Sequence, residues 1–232
     1  MYPIKKQVLF SKRPWVLLLG LVLAGLNCPA QQVFTDGAIV YAIDVPSAGS
    51  MAPQAVATLK AGQLTYRFKN HLFRSDMRIG PMEYINIHDN TAHSALSLIK
   101  GGAGKNYLVR MSAADVRKEA EKYDGLTFTP EPGSAKIAGY TCKKAVGQLA
   151  DGKSFTVYYT EALQPPSADY NPRFKGLDGL PLKFEVHIKN DAQLTMTATS
   201  VKQGFQPSSL FEAPSSGFRE LTYAQLQQLR GR

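Results

Sequence analysis

The stretch Leu182-Lys-Phe-Glu-Val-His-Ile-Lys189 alternates apolar and polar residues without a break. Leu182, Phe184, Val186 and Ile188 fall on one side of an extended chain; Lys183, Glu185, His187 and Lys189 fall on the other. Successive side chains of a strand point to opposite faces, so this run reads as a strand with one face in a core and one in water. Such one-sided burial belongs to antiparallel sheets, because parallel sheets are covered on both faces.

The same rhythm recurs outward from that stretch. Leu64, Tyr66 and Phe68 alternate with Thr65, Arg67 and Lys69, and after Asn70-His71 come Phe73, Met77 and Ile79 against Arg74, Asp76 and Arg78. Ile85 and Ile87, the run 95–99, and Tyr107, Val109 and Met111 continue it. Asp151-Gly152 sits between the runs 137–149 and 153–160 as a primed hairpin turn would, and Asn190-Asp191 has a similar place between 182–189 and 193–202. Helical signals are fewer. Met51 to Lys60 is rich in Ala; Ser112-Ala-Ala-Asp115 is a capping box followed by Val116, Ala120 and Tyr123 on one helical face; Thr222 with Gln225 caps a last segment presenting Leu226 and Leu229. The expected fold class is α+β, mainly antiparallel β: a strongly curved sheet, or half-barrel, with a few short helices packed on its concave side.

The first thirty residues read differently. Lys5, Lys6, Lys12 and Arg13 form a basic segment, Trp15 to Leu26 is apolar with interspersed glycine, and Cys28-Pro29-Ala30 ends it with small residues. This is the pattern of a signal peptide, and the apolar run falls short of the roughly 20 residues a spanning helix needs. Two processing routes fit: cleavage between Ala30 and Gln31, or acylation of Cys28 as a lipoprotein. Gly25 and Asn27 match the acylation pattern poorly, so cleavage is the expectation. The chain therefore divides into a signal peptide, 1–30, and one β-rich domain, 31–232, expected to work in the periplasm or outside the cell.

Composition bounds the function classes. The 232 residues carry 27 Lys and Arg against 18 Asp and Glu, a net +9. Four of the basic residues and none of the acidic ones lie before Gln31, which leaves 23 against 18, or +5. That excess favours loose contact with an anionic membrane surface, but without a Lys/Arg block it gives no nucleic-acid groove. Cys142 is the one cysteine after Ala30, so no disulfide can form within the cleaved chain.

Three segments carry a family resemblance: Ile137-Ala-Gly-Tyr-Thr-Cys-Lys-Lys144, Val157-Tyr-Tyr-Thr160 and Gly176-Leu-Asp-Gly-Leu-Pro-Leu182. They resemble an exported domain-of-unknown-function family related to the GLPGLI group, with Asp178 standing where the name-giving motif has proline. The likeness covers about 36–214 and is concentrated after residue 125. It implies similarity to the LolA/LolB lipoprotein carriers, whose half-barrel holds acyl chains against a covering helix, and it brings no catalytic residues. Read physically, Gly139, Gly176 and Gly179 supply turns, and Pro181 marks a strand start.

Few clusters carry the pattern of a chemical site. Gly101-Gly-Ala-Gly-Lys105 lacks both the leading glycine and the trailing Ser or Thr of a phosphate loop, having Ile99 and Asn106 there, and reads as a hairpin connection. His88, Asp89 and His93 lie close together in a turn, but nothing accompanies them as a second ligand cluster, so no metal is expected. Cys142 beside Lys143 and Lys144 reads as a small buried hydrophobe rather than a nucleophile. No nucleophile elbow or catalytic triad stands out, and neither enzyme activity nor a cofactor is expected. The numerous aromatic and Met residues of the inner face serve either a filled core or an apolar cavity. The functional expectation is a non-enzymatic binder or carrier of an apolar ligand, a lipid or lipoprotein acyl chain, held by Phe68, Met77, Tyr107 and Phe184. The alternative is an envelope structural or interaction protein with a solid core, no small ligand and an envelope protein partner.

Overall fold

The computed structural model describes residues 31–102, 105–188 and 191–231; residues 1–30, read from sequence as an export signal, lie outside them, as do 103–104 of the glycine-rich connection, Lys189 at the end of the opening stretch and Asn190 of the turn after it. In chain order the elements are β1 (Gln32–Val33), β2 (Asp36–Ser47), α1 (Pro53–Lys60), β3 (Gln63–Lys69), β4 (Leu72–Ile79), β5 (Met82–Asp89), β6 (Ser94–Lys100), β7 (Asn106–Met111), α2 (Ala113–Ala120), β8 (Thr127–Ile137), β9 (Tyr140–Gln148), β10 (Ser154–Thr160), β11 (Leu163–Gln164), β12 (Leu180–His187), β13 (Gln193–Gln203), β14 (Arg219–Leu221) and α3 (Tyr223–Gly231). Among the described residues twelve strands form one sheet in the order β14-β7-β6-β5-β4-β3-β2-β13-β12-β10-β9-β8. Its pairs are antiparallel except β14 against β7, and a separate short parallel pair joins β1 to β11. The protein is thus mostly β, with a large, antiparallel-rich sheet and few helices.

The opening stretch is β12 as expected. Leu182 and Phe184 are buried, His187 is exposed, and Lys183 and Glu185 are half-buried. Glu185 is more than a solvated side chain, because its Oε2 accepts the Thr156 backbone amide at 2.8 Å. Register then carries Phe184 across the sheet: it faces Met196 on β13, which faces Ile43 on β2. Tyr41 pairs with Leu64 and Ile39 with Tyr66, so β2, β3, β12 and β13 present one continuous apolar front face.

That face is closed by the segment 161–179. Leu163, Tyr170, Phe174 and Leu177 drop from it into the cluster. Phe174 meets Phe184 edge-on at 5.0 Å between centroids, and Tyr170 meets Phe73 at 5.2 Å and Phe68 at 5.4 Å. Edge-to-face packing of this kind adds to the gain from burying the rings. Gly179 ends the segment at φ +143°, where a Cβ would collide with the Thr160 carbonyl oxygen; only glycine lets the two backbones approach so closely.

The back face of β4–β7 has its own cluster of Ile85, Ile87, Leu98 and Leu108. The chain leaving β13 crosses it, setting Leu210, Phe211 and Phe218 on these residues before β14 pairs with β7. Beneath this strap the buried Asp76 binds Arg67 at 3.3 Å and Arg74 at 2.6 Å. Arg74 in turn donates to the Leu210 carbonyl, and Lys69 to that of Gln206 at 2.8 Å.

Both capping boxes read from sequence form. Ser112 Oγ accepts the Asp115 amide while Asp115 Oδ2 accepts the Ser112 amide, and Thr222 and Gln225 exchange the same pair of bonds. Val116 of α2 and Leu226 of α3 pack with Val109 and Met111 at the β7 end of the front face. The 149–152 hairpin turn differs in type from the expectation. The Gly152 amide bonds the Leu149 carbonyl, and Gly152 is at φ +84° while Asp151 is not at positive φ, so the glycine follows the turn instead of completing a primed pair. A primed geometry does occur at Ala138-Gly139, with φ +47° and +89°, directly between β8 and β9.

Candidate functional site

Open volume lies beside the aromatic cluster, between α2 and the segment 169–176. The strand ends fix its floor. Asp89 Oδ1 accepts the amides of Thr91 and Ala92, both at 2.9 Å, and so holds the turn leading from β5 to β6. The capping box fixes the start of α2 over that turn. The helical stripe Val116, Ala120 and Tyr123 then forms a wall, opposite Pro172, Lys175 and Gly176.

Two adjoining cavities result. The outer one, about 660 Å³, has Ala113, Val116, Ala120, Tyr123, Leu126 and Pro172 as apolar wall, with His88, Asn90 and Ser94 at the floor. The inner one, about 410 Å³, lies over the middle of β4 and β5 and is floored by Ser75, Asn86 and His88, with Tyr170 and Asn171 at its side. His88, Val116, Ala120, Tyr123 and Pro172 border both. Both volumes fall within the roughly 300–1,000 Å³ usual for small-molecule sites.

The electrostatics are subdued. At the outer rim Arg117 pairs with Asp124 at 2.9 Å, and Lys175 with Asp169 at 2.8 Å. Burial lowers the pKa of His88, with Glu119 pulling the other way, so the imidazole is neutral near pH 7. Two polar atoms stand out: Asn90 Nδ2 and Tyr170 Oη are buried and, among the described residues, have no hydrogen-bond partner. Burial of a donor in that state is costly unless a ligand or water meets it.

The four residues expected to hold a ligand lie elsewhere on the same face. Phe68 and Phe184 are fully packed, Phe68 against Phe34 at 5.3 Å and Phe184 against Tyr41 at 5.6 Å. Met77 and Tyr107 are half-buried in a cross-strand row, Met77–Tyr84–Ile99–Tyr107. The helical stripe of α2 was visible in the sequence; Ser75, Asn86 and Asn90 were not singled out, and their signal is the polar interruption of an otherwise apolar alternation. Of the histidine turn, His88 reaches the cavity floor and Asp89 holds the turn; among the described residues no cluster of three metal-ligating side chains occurs. Burial pushes the Cys142 thiol up to about 11, which leaves it protonated and inert. Among the described residues no helix is long and apolar enough to cross a membrane.

No protein-family model and no curated protein matches the chain. Solved structures give distant likenesses. One is PNGF-II, 18% identical with a TM-score of 0.48 over 84% of this chain. The chain spans only 33% of that protein's length. An uncharacterised conserved protein from Thermus thermophilus is 11% identical, with a TM-score of 0.46 over 82% of this chain and 91% of the other. A LolA superfamily protein from Nitrosomonas europaea is 10% identical, with a TM-score of 0.23 over 79% and 92%.

Proposed function

We propose that this is an exported, non-enzymatic binding protein of the periplasm or cell envelope that carries an apolar ligand, a lipid or acyl chain, in the cleft between α2 and residues 169–176. The observation that carries the reading is the apolar wall of the outer cavity, built from Val116, Ala120, Tyr123, Leu126 and Pro172 around about 660 Å³. Removing an alkyl chain from water against such a wall gains about 0.8 kcal/mol per buried methylene. The proposal includes a half-barrel curl of the LolA/LolB kind and kinship with the GLPGLI-related exported families. Curl is supported by Tyr66 on β3 and Phe184 on β12, whose rings lie 6.2 Å apart although β2 and β13 stand between them. Three flat strand spacings would separate their backbones by about 14 Å. Export rests on residues 1–30, and +5 on the remaining chain suits contact with an anionic membrane surface.

Native purification followed by mass spectrometry of an organic extract tests the reading. Near-stoichiometric lipid is expected, and Val116→Trp, which narrows the cleft where the two cavities meet, should reduce it. The second reading, an envelope interaction protein with a solid core, is favoured by the tight packing of Phe68 and Phe184. A blank extract, with no saturable acyl-chain binding by the delipidated protein, would transfer the conclusion to it.

A further inference from the structure

We infer that the inner cavity reads an uncharged polyhydroxy group, a sugar or polyol, through Ser75, Asn86 and His88. The inference deepens the carrier reading and rests on it: the outer cavity takes the apolar part of the ligand and the inner one its head. The argument begins with register. Ser75 on β4 faces Asn86 on β5, which faces Ser97 on β6, so a polar row crosses the front face between two rows that are mostly apolar. Phe73 faces His88 in the next row and brings its ring to 6.2 Å from the imidazole. Among the described residues the Ser75 and Asn86 side chains are bonded to no other protein group, although both border the cavity.

The chemistry of that floor is specific. Hydroxyl, carboxamide and neutral imidazole each offer both a donor and an acceptor, which is what neighbouring sugar hydroxyls demand. Asn171 borders the same cavity beside Tyr170, and its carboxamide likewise offers both a donor and an acceptor. Val116 and Ala120 supply apolar surface for the C–H faces of a sugar ring. A charged head fits badly. The Glu119 carboxylate at the roof, held by Tyr223 and Gln227, bears on the floor at His88 and opposes an anionic head, while an uncharged group avoids the cost of stripping water from any ion.

The test is calorimetric titration of delipidated protein purified from the periplasm, with decyl maltoside, decyl sulfate and decyltrimethylammonium below their micelle concentrations, and with maltose alone. Decyl maltoside is expected to bind at least about tenfold more tightly than either charged amphiphile. Asn86→Leu, and separately Ser75→Val, should each cost about tenfold for decyl maltoside, the scale of a lost hydrogen bond, and leave decyl sulfate unchanged. Melting midpoints near wild type verify folding, and two variants guard against the failure of one. Equal affinity for all three heads, or preference for a charged one, overturns the inference and spares the carrier reading. Maltose binding as tightly as decyl maltoside keeps the polyol site, makes a free saccharide its ligand and overturns the apolar-chain reading. Absence of all binding overturns both.

Discussion

Replacing Tyr170 with Phe removes one oxygen atom and should stabilise the protein. Tyr170 is 1% exposed, and its ring is held by Phe68, Phe73 and Phe174, contacts that phenylalanine keeps. Its Oη is buried without a partner among the described residues, and burial raises its pKa well above the usual phenol range, so the group stays neutral. An unsatisfied buried hydroxyl costs about 1–3 kcal/mol, whereas the cavity left by one oxygen costs less than a methyl-sized void. The expected net gain is about 1 kcal/mol, or about 2–4 °C in the melting midpoint for a chain of this size. Urea unfolding of delipidated protein, with an unchanged m-value, measures it. A loss of 1 kcal/mol or more would show that the oxygen is bonded in the folded protein, and would refute the argument that it is buried unsatisfied.

Phe184→Ala should destabilise by about 4 kcal/mol in the same assay, because Tyr41, Tyr66 and Phe174 all lose their packed neighbour; less than 1 kcal/mol would mean that this core is not filled. Ala138→Asn should stabilise by about 1 kcal/mol, since alanine at φ +47° carries strain that an Asn-Gly turn relieves; a lower midpoint would contradict the primed geometry. His88 gives a pH dependence. Its pKa in the folded protein is below 6.5, so as pH falls through that range the unfolded chain takes up its proton first, and stability is lost from about pH 6.5 downward. His88→Gln should flatten that part of the curve, and an unchanged slope would remove His88 as its cause.

Alternation was the legible part of the fold, because it reports which side of a strand is buried and register propagates the answer. Leu182 and Phe184 fixed the face of β12, and the wider pattern then placed Tyr66 and Phe73 on the same side. Capping was legible for a similar reason: Ser112 and Asp115 satisfy each other within one turn, independent of the rest of the chain. The cavity was not legible. Which aromatic rings stay packed depends on what descends on them, and Tyr170 and Phe174 descend from a segment with no periodicity of its own. The sequence offered Phe68 and Phe184 as ready cavity linings, and the same apolar bulk that recommends a ring for a cavity also lets a core close around it. The strap over the back face was hidden too, since Gln206 to Phe218 shows neither alternation nor helical spacing.

The polar row explains why a hollow lies where it does. A roof pressed onto Phe68 and Phe184 meets only apolar rings, so Tyr170 and Phe174 pack down on that half of the front face. A roof pressed onto Ser75 and Asn86 would have to strip water from a hydroxyl and a carboxamide and supply partners in return. The side of α2 turned toward them offers Val116 and Ala120, which supply none, and Glu119, which Tyr223 and Gln227 already engage. Collapse there is unfavourable, and the volume over β4 and β5 remains open to water or ligand. A cavity kept open by the polarity of its floor, next to one walled by apolar side chains, selects a ligand with both characters. The sugar-headed amphiphile argued above meets that description, whereas a bare fatty chain would leave Ser75 and Asn86 unserved.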